Sequence, residues 1–124
     1  MSYLNAQEGS SMQLYEFQAK RIFQEYGVPI PNGHLATTVQ EAVRAANELG
    51  QPVAVKAQVL AGGRGLVGGV KFARDSEEVR IVASQVFNMT VRGERPRAIL
   101  VEEKVASVRE LYAAVTWDYV RKRP

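Results

Sequence analysis

Val53-Ala54-Val55-Lys56-Ala57-Gln58-Val59-Leu60 runs directly into Ala61-Gly62-Gly63-Arg64-Gly65-Leu66-Val67-Gly68-Gly69. The first eight residues alternate. Val53, Val55, Ala57 and Val59 share one face, and Ala54, Lys56, Gln58 and Leu60 share the other, the signature of a half-buried strand. Lys56 therefore sits in mid-strand on the less apolar face. The following loop holds five of the ten glycines of the chain. Loops of this kind let backbone N–H groups approach phosphate oxygens. A preceding lysine and an arginine at the loop tip add positive charge and a fork of donors. The G-x-x-x-x-G-K-[ST] pattern is absent. Gly63-Arg64-Gly65 with Gly68 does form G-x-G-x-x-G, but the loop leads into a short strand, Val70–Arg74, instead of a helix. Spacing alone leaves two readings open: a hairpin loop with an incidental arginine, or a phosphate-binding loop.

Outward from this stretch, three helices are predicted. Over residues 12–26, Tyr15, Ala19, Ile22, Phe23 and Tyr26 form one apolar stripe; Ser10 with Gln13 can cap it and Gly27 with Pro29 stops it. Thr38 opens a second helix, with Glu41 completing a capping box. Its stripe is Val39, Ala42, Val43, Ala46 and Leu49, and Gly50 ends it. Asp75 caps a third, with Val79, Val82, Ala83, Val86 and Phe87 facing inward. Strands are predicted at His34–Thr37, Ala98–Val105 and Arg109–Val120. In the last, Leu111, Ala113, Val115, Trp117 and Tyr119 share a face, and Trp117 and Tyr119 read as core. Three residues separate the last two strands, predicting an antiparallel hairpin. The fold class is α/β: three helices on a small mixed sheet with that C-terminal hairpin.

Composition bounds the function. At 124 residues with 46% hydrophobic and 23% charged side chains, the chain has the length and make-up of one globular domain. It has no cysteine, which excludes disulfides and thiolate chemistry. No apolar run has the length of a membrane span, and residues 1–11 resemble neither a secretory signal nor a transit peptide. A cytoplasmic protein without a membrane partner is expected. The net charge is +3. The excess lies partly in Arg92, Arg95 and Arg97, read as a solvated loop, and in Arg121-Lys122-Arg123. No aromatic residues interleave with the first cluster, which disfavours nucleic acid and leaves a phosphate-bearing small ligand. Glu102, Glu103 and Glu110 could accept hydrogen bonds from a base amine or ribose hydroxyls; composition alone favours solvated hairpin-end charges. His34 has no partner at catalytic or metal-ligand spacing.

Several short motifs occur in family order. Met12-Gln13-Leu14-Tyr15-Glu16-Phe17-Gln18-Ala19-Lys20, Tyr26-Gly27-Val28-Pro29, Val55-Lys56-Ala57-Gln58-Val59 and Ala61-Gly62-Gly63-Arg64-Gly65 resemble the amino-terminal part of the succinyl-CoA synthetase (ADP-forming succinate–CoA ligase) β subunit. The β subunits of malate–CoA ligase and the corresponding region of ATP-citrate lyase are similar. The resemblance runs from Met12 to about Val120. It implies an ATP-grasp nucleotide-binding lobe, with residues 1–11 a disordered extension and residues 12–124 a partial domain.

By the same resemblance, Lys56 contacts the ATP phosphates and Gly63, Arg64 and Gly65 form the loop over them. Glu102 and Val105 line the adenine, Glu110 stands at the ribose side, and Pro31 accompanies ATP over GTP. Leu66 stands where the family usually carries a lysine. The resemblance further implies Mg²⁺ held by ligands beyond these residues, and a partner α subunit carrying a phosphorylated histidine. The tricarboxylic acid cycle reaction it implies is ATP, succinate and CoA giving ADP, phosphate and succinyl-CoA. No catalytic residue and no metal ligand is assigned here, and this chain alone is expected to be inactive. The alternatives are a β subunit of the malate–CoA ligase or ATP-citrate lyase type, and a stand-alone, non-catalytic nucleotide-binding or interaction module.

Overall fold

The computed structural model describes residues 13–124. The expected extension at 1–11, and Ser10 as a cap, lie outside the described residues. In chain order the elements are α1 (Glu16–Glu25), β1 (Gly33–Ala36), α2 (Val39–Leu49), β2 (Val53–Ala57), a 3-10 turn (Arg64–Val67), β3 (Val70–Ala73), α3 (Ser76–Asn88) and β4 (Ile99–Glu103).

The four strands form one sheet in the order β1-β4-β2-β3. Every pairing is antiparallel, which corrects the expected mixed sheet. The reason is insertion. The β1-α2-β2 connection leaves β1 and β2 pointing the same way, but β4 lies between them and pairs with both. Likewise β3 and β4 point the same way with β2 between them.

Helices α2 and α3 pack side by side on one sheet face. The core lies between the layers. Val53, Val55 and Ala57 of β2 and Ile99 and Val101 of β4 meet Ala42, Ala45 and Ala46 of α2 and Val79, Ala83 and Val86 of α3. All are buried. Each fully buried valine or isoleucine contributes about 1.5–3 kcal/mol. Capping sets the helix starts. The Thr38 hydroxyl accepts from the Glu41 N–H at 3.1 Å, and the Asp75 carboxylate from the Glu78 N–H at 2.8 Å. Glu41 reaches back one residue further than predicted, accepting from the Thr37 N–H at 2.7 Å. Glu78 does the same with the Arg74 N–H, also at 2.7 Å.

Two further expectations change. The predicted strand at Arg109–Val120 and its hairpin do not form. Residues 104–117 carry neither helix nor strand, and an isolated bridge joins Asp118 to Arg123. A strand following β4 through a short hairpin must pair with β4, and both edges of β4 are already taken by β1 and β2. Leu111, Val115, Trp117 and Tyr119 are accordingly exposed and not core.

The α1 stripe is also not a core stripe. No α1 residue is buried, and Ile22, Phe23 and Tyr26 are exposed. The helix begins at Glu16, four residues later than predicted, where the Tyr15 N–H donates to Gln18 Oε1 at 2.9 Å. Polar contacts attach it to the sheet, beginning with the Phe17 N–H to Gln58 Oε1 at 3.1 Å.

Candidate functional site

The sheet face opposite α2 and α3 carries charge. Alternation places Ala54 and Lys56 of β2 there, beside Leu100 and Glu102 of β4. Glu102 is only 2% exposed. Gly33 of β1 lies directly across from it. A Cβ at that glycine would stand 2.7 Å from Glu102 Cγ and 3.1 Å from the Val101 carbonyl oxygen. The glycine is therefore what leaves space for the carboxylate.

A buried carboxylate requires partners. Lys56 Nζ lies 2.5 Å from Glu102 Oε2, and Lys20 from α1 takes the other oxygen. A second carboxylate, Glu16, stands 3.3 Å from Lys56 Nζ and 3.3 Å from Lys20 Nζ, and also pairs with the Arg64 guanidinium. Three cations and two carboxylates thus meet above the sheet. Burial pushes the Glu16 carboxyl up, but Lys56, Arg64 and Lys20 together outweigh burial and hold its pKa below the ordinary 4.5. Burial likewise pushes Lys56 down; its hydrogen bond to Glu102 and the charges of Glu16 and Glu102 outweigh it, leaving its pKa raised above 10.5.

The glycine loop closes against the end of β2. Gly63 and Gly68 flank the 3-10 turn at φ 82 and φ 79, a left-handed conformation that side chains other than glycine rarely adopt. The Gly69 N–H donates to the Arg64 carbonyl at 2.7 Å, and the Ala57 N–H to the Gly69 carbonyl at 2.7 Å. From this turn the Arg64 side chain reaches back, donating to the Ala57 carbonyl at 3.0 Å. Gly65 has open space around it.

An open cavity of ≈ 730 Å³ extends along the same face, lined by Lys56, Glu102, Val105 and Glu110 together with Pro31, Phe72 and others. Four of the seven residues singled out from the sequence thus share one cavity. Gly63, Arg64 and Gly65 do not line it; Arg64 joins the group through Glu16. Glu110 is exposed and accepts from the Ser107 hydroxyl at 3.4 Å. His34 is half-exposed on the surface, 3.7 Å from Glu48.

Glu16, Lys20 and Gln58 were not singled out from the sequence as site residues. The i, i+4 spacing of Glu16 and Lys20 signals a helix-face pair, but nothing local signals that this pair meets Lys56 and Arg64. Gln58 is 3% exposed, and its amide donates to the Lys56 and Ala57 carbonyls at 3.2 and 3.3 Å. A buried glutamine inside an alternating strand is the signal that could have marked it.

A helix-backed antiparallel sheet, with a mid-strand lysine, a glycine-arginine loop and an acidic strand end along one open face, defines the class of lobe. Residues 13–124 match the family model described as the ATP-grasp domain, and the chain belongs to that family. Among curated proteins it is 49% identical over 113 residues to the succinate–CoA ligase [ADP-forming] subunit beta of Haloarcula marismortui, covering 91% of this chain and 30% of that protein. It is 44% identical over 112 residues to the succinate–CoA ligase [GDP-forming] subunit beta of Thermus thermophilus, covering 90% and 30%. Among solved structures it is similar to the dinucleotide-forming acetyl-coenzyme A synthetase 1 of Ca. Korarchaeum cryptofilum in complex with coenzyme A and Ca-AMPCP. The TM-score is 0.62 at 33% identity, covering 81% of this chain and 46% of that one. The chain spans about 30% of the length of the curated relatives it matches.

No helix among the described residues is long and apolar enough to cross a membrane.

Proposed function

We propose that residues 12–124 form the ATP-binding lobe of an acid–CoA ligase β subunit of the succinate–CoA ligase type. The observation that carries this reading is the convergence of Lys56, Glu102, Val105 and Glu110 on one open cavity, with the Arg64 guanidinium joined to Lys56 through Glu16. The residues fit a nucleotide. Lys56 and Arg64 are two cations within reach of one carboxylate oxygen pair, a spacing that also suits phosphate oxygens. Val105 and Glu110 line the same cavity and are assigned the base and ribose. Gly63 and Gly65 would let the loop backbone approach the phosphates.

ATP, when bound, supplies the phosphoryl group. This chain's part is to neutralise and position it, which is most of what phosphoryl transfer asks of a protein. In the whole ligase, the proposed overall reaction is ATP, succinate and CoA to ADP, phosphate and succinyl-CoA, with the phosphoryl group passing through a histidine of a partner α subunit in the cytoplasm. The lobe alone would bind nucleotide without turnover. The carboxylates at the site, Glu16 and Glu102, are already paired with Lys20, Lys56 and Arg64, and among the described residues no group of three or more His, Cys, Asp or Glu stands together, so none of them is assigned as a Mg²⁺ ligand. No step through the metal is therefore assigned to them.

Calorimetric titration of the chain with ATP tests the reading. Lys56→Ala and Arg64→Ala should each weaken binding about tenfold or more, as loss of a charge-assisted contact requires. Unchanged affinity in Lys56→Ala would remove the nucleotide assignment, and unchanged affinity in Arg64→Ala alone would remove the glycine loop from it. The names of the relatives divide between ADP and GDP formers. Pro31 lines the cavity and supports ATP as the preferred nucleotide, so a parallel GTP titration should give the weaker binding.

A further inference from the structure

Helix α1 contributes no buried side chain, yet its first residue sits at the centre of the charged cluster. The Glu16 carboxylate pairs with the Arg64 guanidinium, stands 3.3 Å from Lys56 Nζ, and lies 3.5 Å from the Gln58 amide nitrogen. An anion held between Lys56 and Arg64 takes the position a phosphate needs. We infer that Glu16 is a placeholder for the nucleotide phosphates: it occupies Lys56 and Arg64 in the empty lobe and must be displaced for nucleotide to bind. This deepens the nucleotide reading above and rests on it.

The two carboxylates of the cluster are not equivalent. Glu102 is 2% exposed, enclosed by the sheet and bound by two lysines. Its removal from Lys56 would leave a buried charge short of a partner, which is costly. The Glu16 side chain is 18% exposed and belongs to a helix attached through polar contacts. A polyphosphate carries several negative charges against the single charge of Glu16. It therefore wins Lys56 and Arg64, while Lys20 stays with Glu102. Repulsion between phosphate and Glu16 then moves the start of α1 off the site. Part of the intrinsic nucleotide affinity is spent on this exchange, because the apparent dissociation constant rises as the open fraction falls.

Titrating ATP into the full 124-residue chain at low salt, for the wild type, Glu16→Gln, Glu16→Ala and Lys56→Ala, tests the exchange. Both Glu16 variants should bind ATP roughly threefold or more tightly than wild type, while Lys56→Ala binds more weakly. Because α1 buries no side chain, thermal melts of both Glu16 variants should stay cooperative. If the Glu16 variants bind equally or more weakly while Lys56→Ala still loses affinity, Glu16 holds the cations in place instead of competing for them; the placeholder role is then wrong and the nucleotide site stands. If Lys56→Ala binds ATP as wild type does, the nucleotide site itself is wrong and the placeholder falls with it.

Discussion

Gly33 on β1 faces Glu102 on β4 so closely that a single added carbon at Gly33 would stand 2.7 Å from the Glu102 side chain. One residue's lack of a side chain is what admits the other's buried carboxylate, and the carboxylate in turn holds Lys56 and Lys20.

Gly33→Ala should therefore destabilise the fold by about 1–3 kcal/mol, the usual cost of overpacking. It should also weaken the Lys56–Glu102 pair. Urea denaturation reads the first effect. A loss below about 0.5 kcal/mol, the range of neutral surface changes, would mean that the Glu102 side chain moves aside freely.

Lys56→Ala leaves Glu102 with Lys20 as its remaining cation. The expected cost is about 2–4 kcal/mol, since a buried carboxylate loses a charged partner. Adding Glu102→Gln should recover part of that loss, because the uncompensated charge disappears. A double-mutant cycle by chemical denaturation measures the coupling; strictly additive losses would argue against a coupled pair.

Acid acts through Glu78 and Glu16. The hydrogen bond from Arg74 holds the half-buried Glu78 carboxyl at a pKa of about 2, against an ordinary 4.5. A depressed carboxylate contributes stability that is full above the unfolded value and is lost as pH falls through the folded one. The loss should therefore fall between about pH 4.5 and pH 2. NMR titration should show Glu78 protonating near the bottom of that window, and Arg74→Ala should return it toward 4.5. Lys56 works in the opposite direction. Its pKa is raised, so its contribution is complete below pH 10.5 and is lost as pH rises through the folded value.

Ile99 of β4 is fully buried, whereas Leu111 is 79% exposed. Ile99→Ala should cost about 2–5 kcal/mol. Leu111→Ala should change stability by no more than about 0.5 kcal/mol. A large loss at Leu111 in thermal or urea unfolding would show that the segment after β4 is packed after all.

Local chemistry sufficed for the elements of the helix-backed core. The caps at Thr38 and Asp75, the stripes of α2 and α3 and the alternation around Lys56 are near-neighbour patterns, and each element they mark is present. The recurring motifs sufficed for the family. Pairing depended on the whole sheet. Leu111, Val115 and Tyr119 alternate as a strand should, but alternation cannot reveal that β4 is central and has no edge to offer them. Nor could the stripe of α1 reveal that Ile22 and Phe23 face outward, or that Glu16 meets a lysine forty residues away. Helical and strand periods are properties of a few consecutive residues. Which edge is free, and which charges share one low-dielectric site, follow from long-range closure of the chain, and that exists only once the strands have taken the order β1-β4-β2-β3.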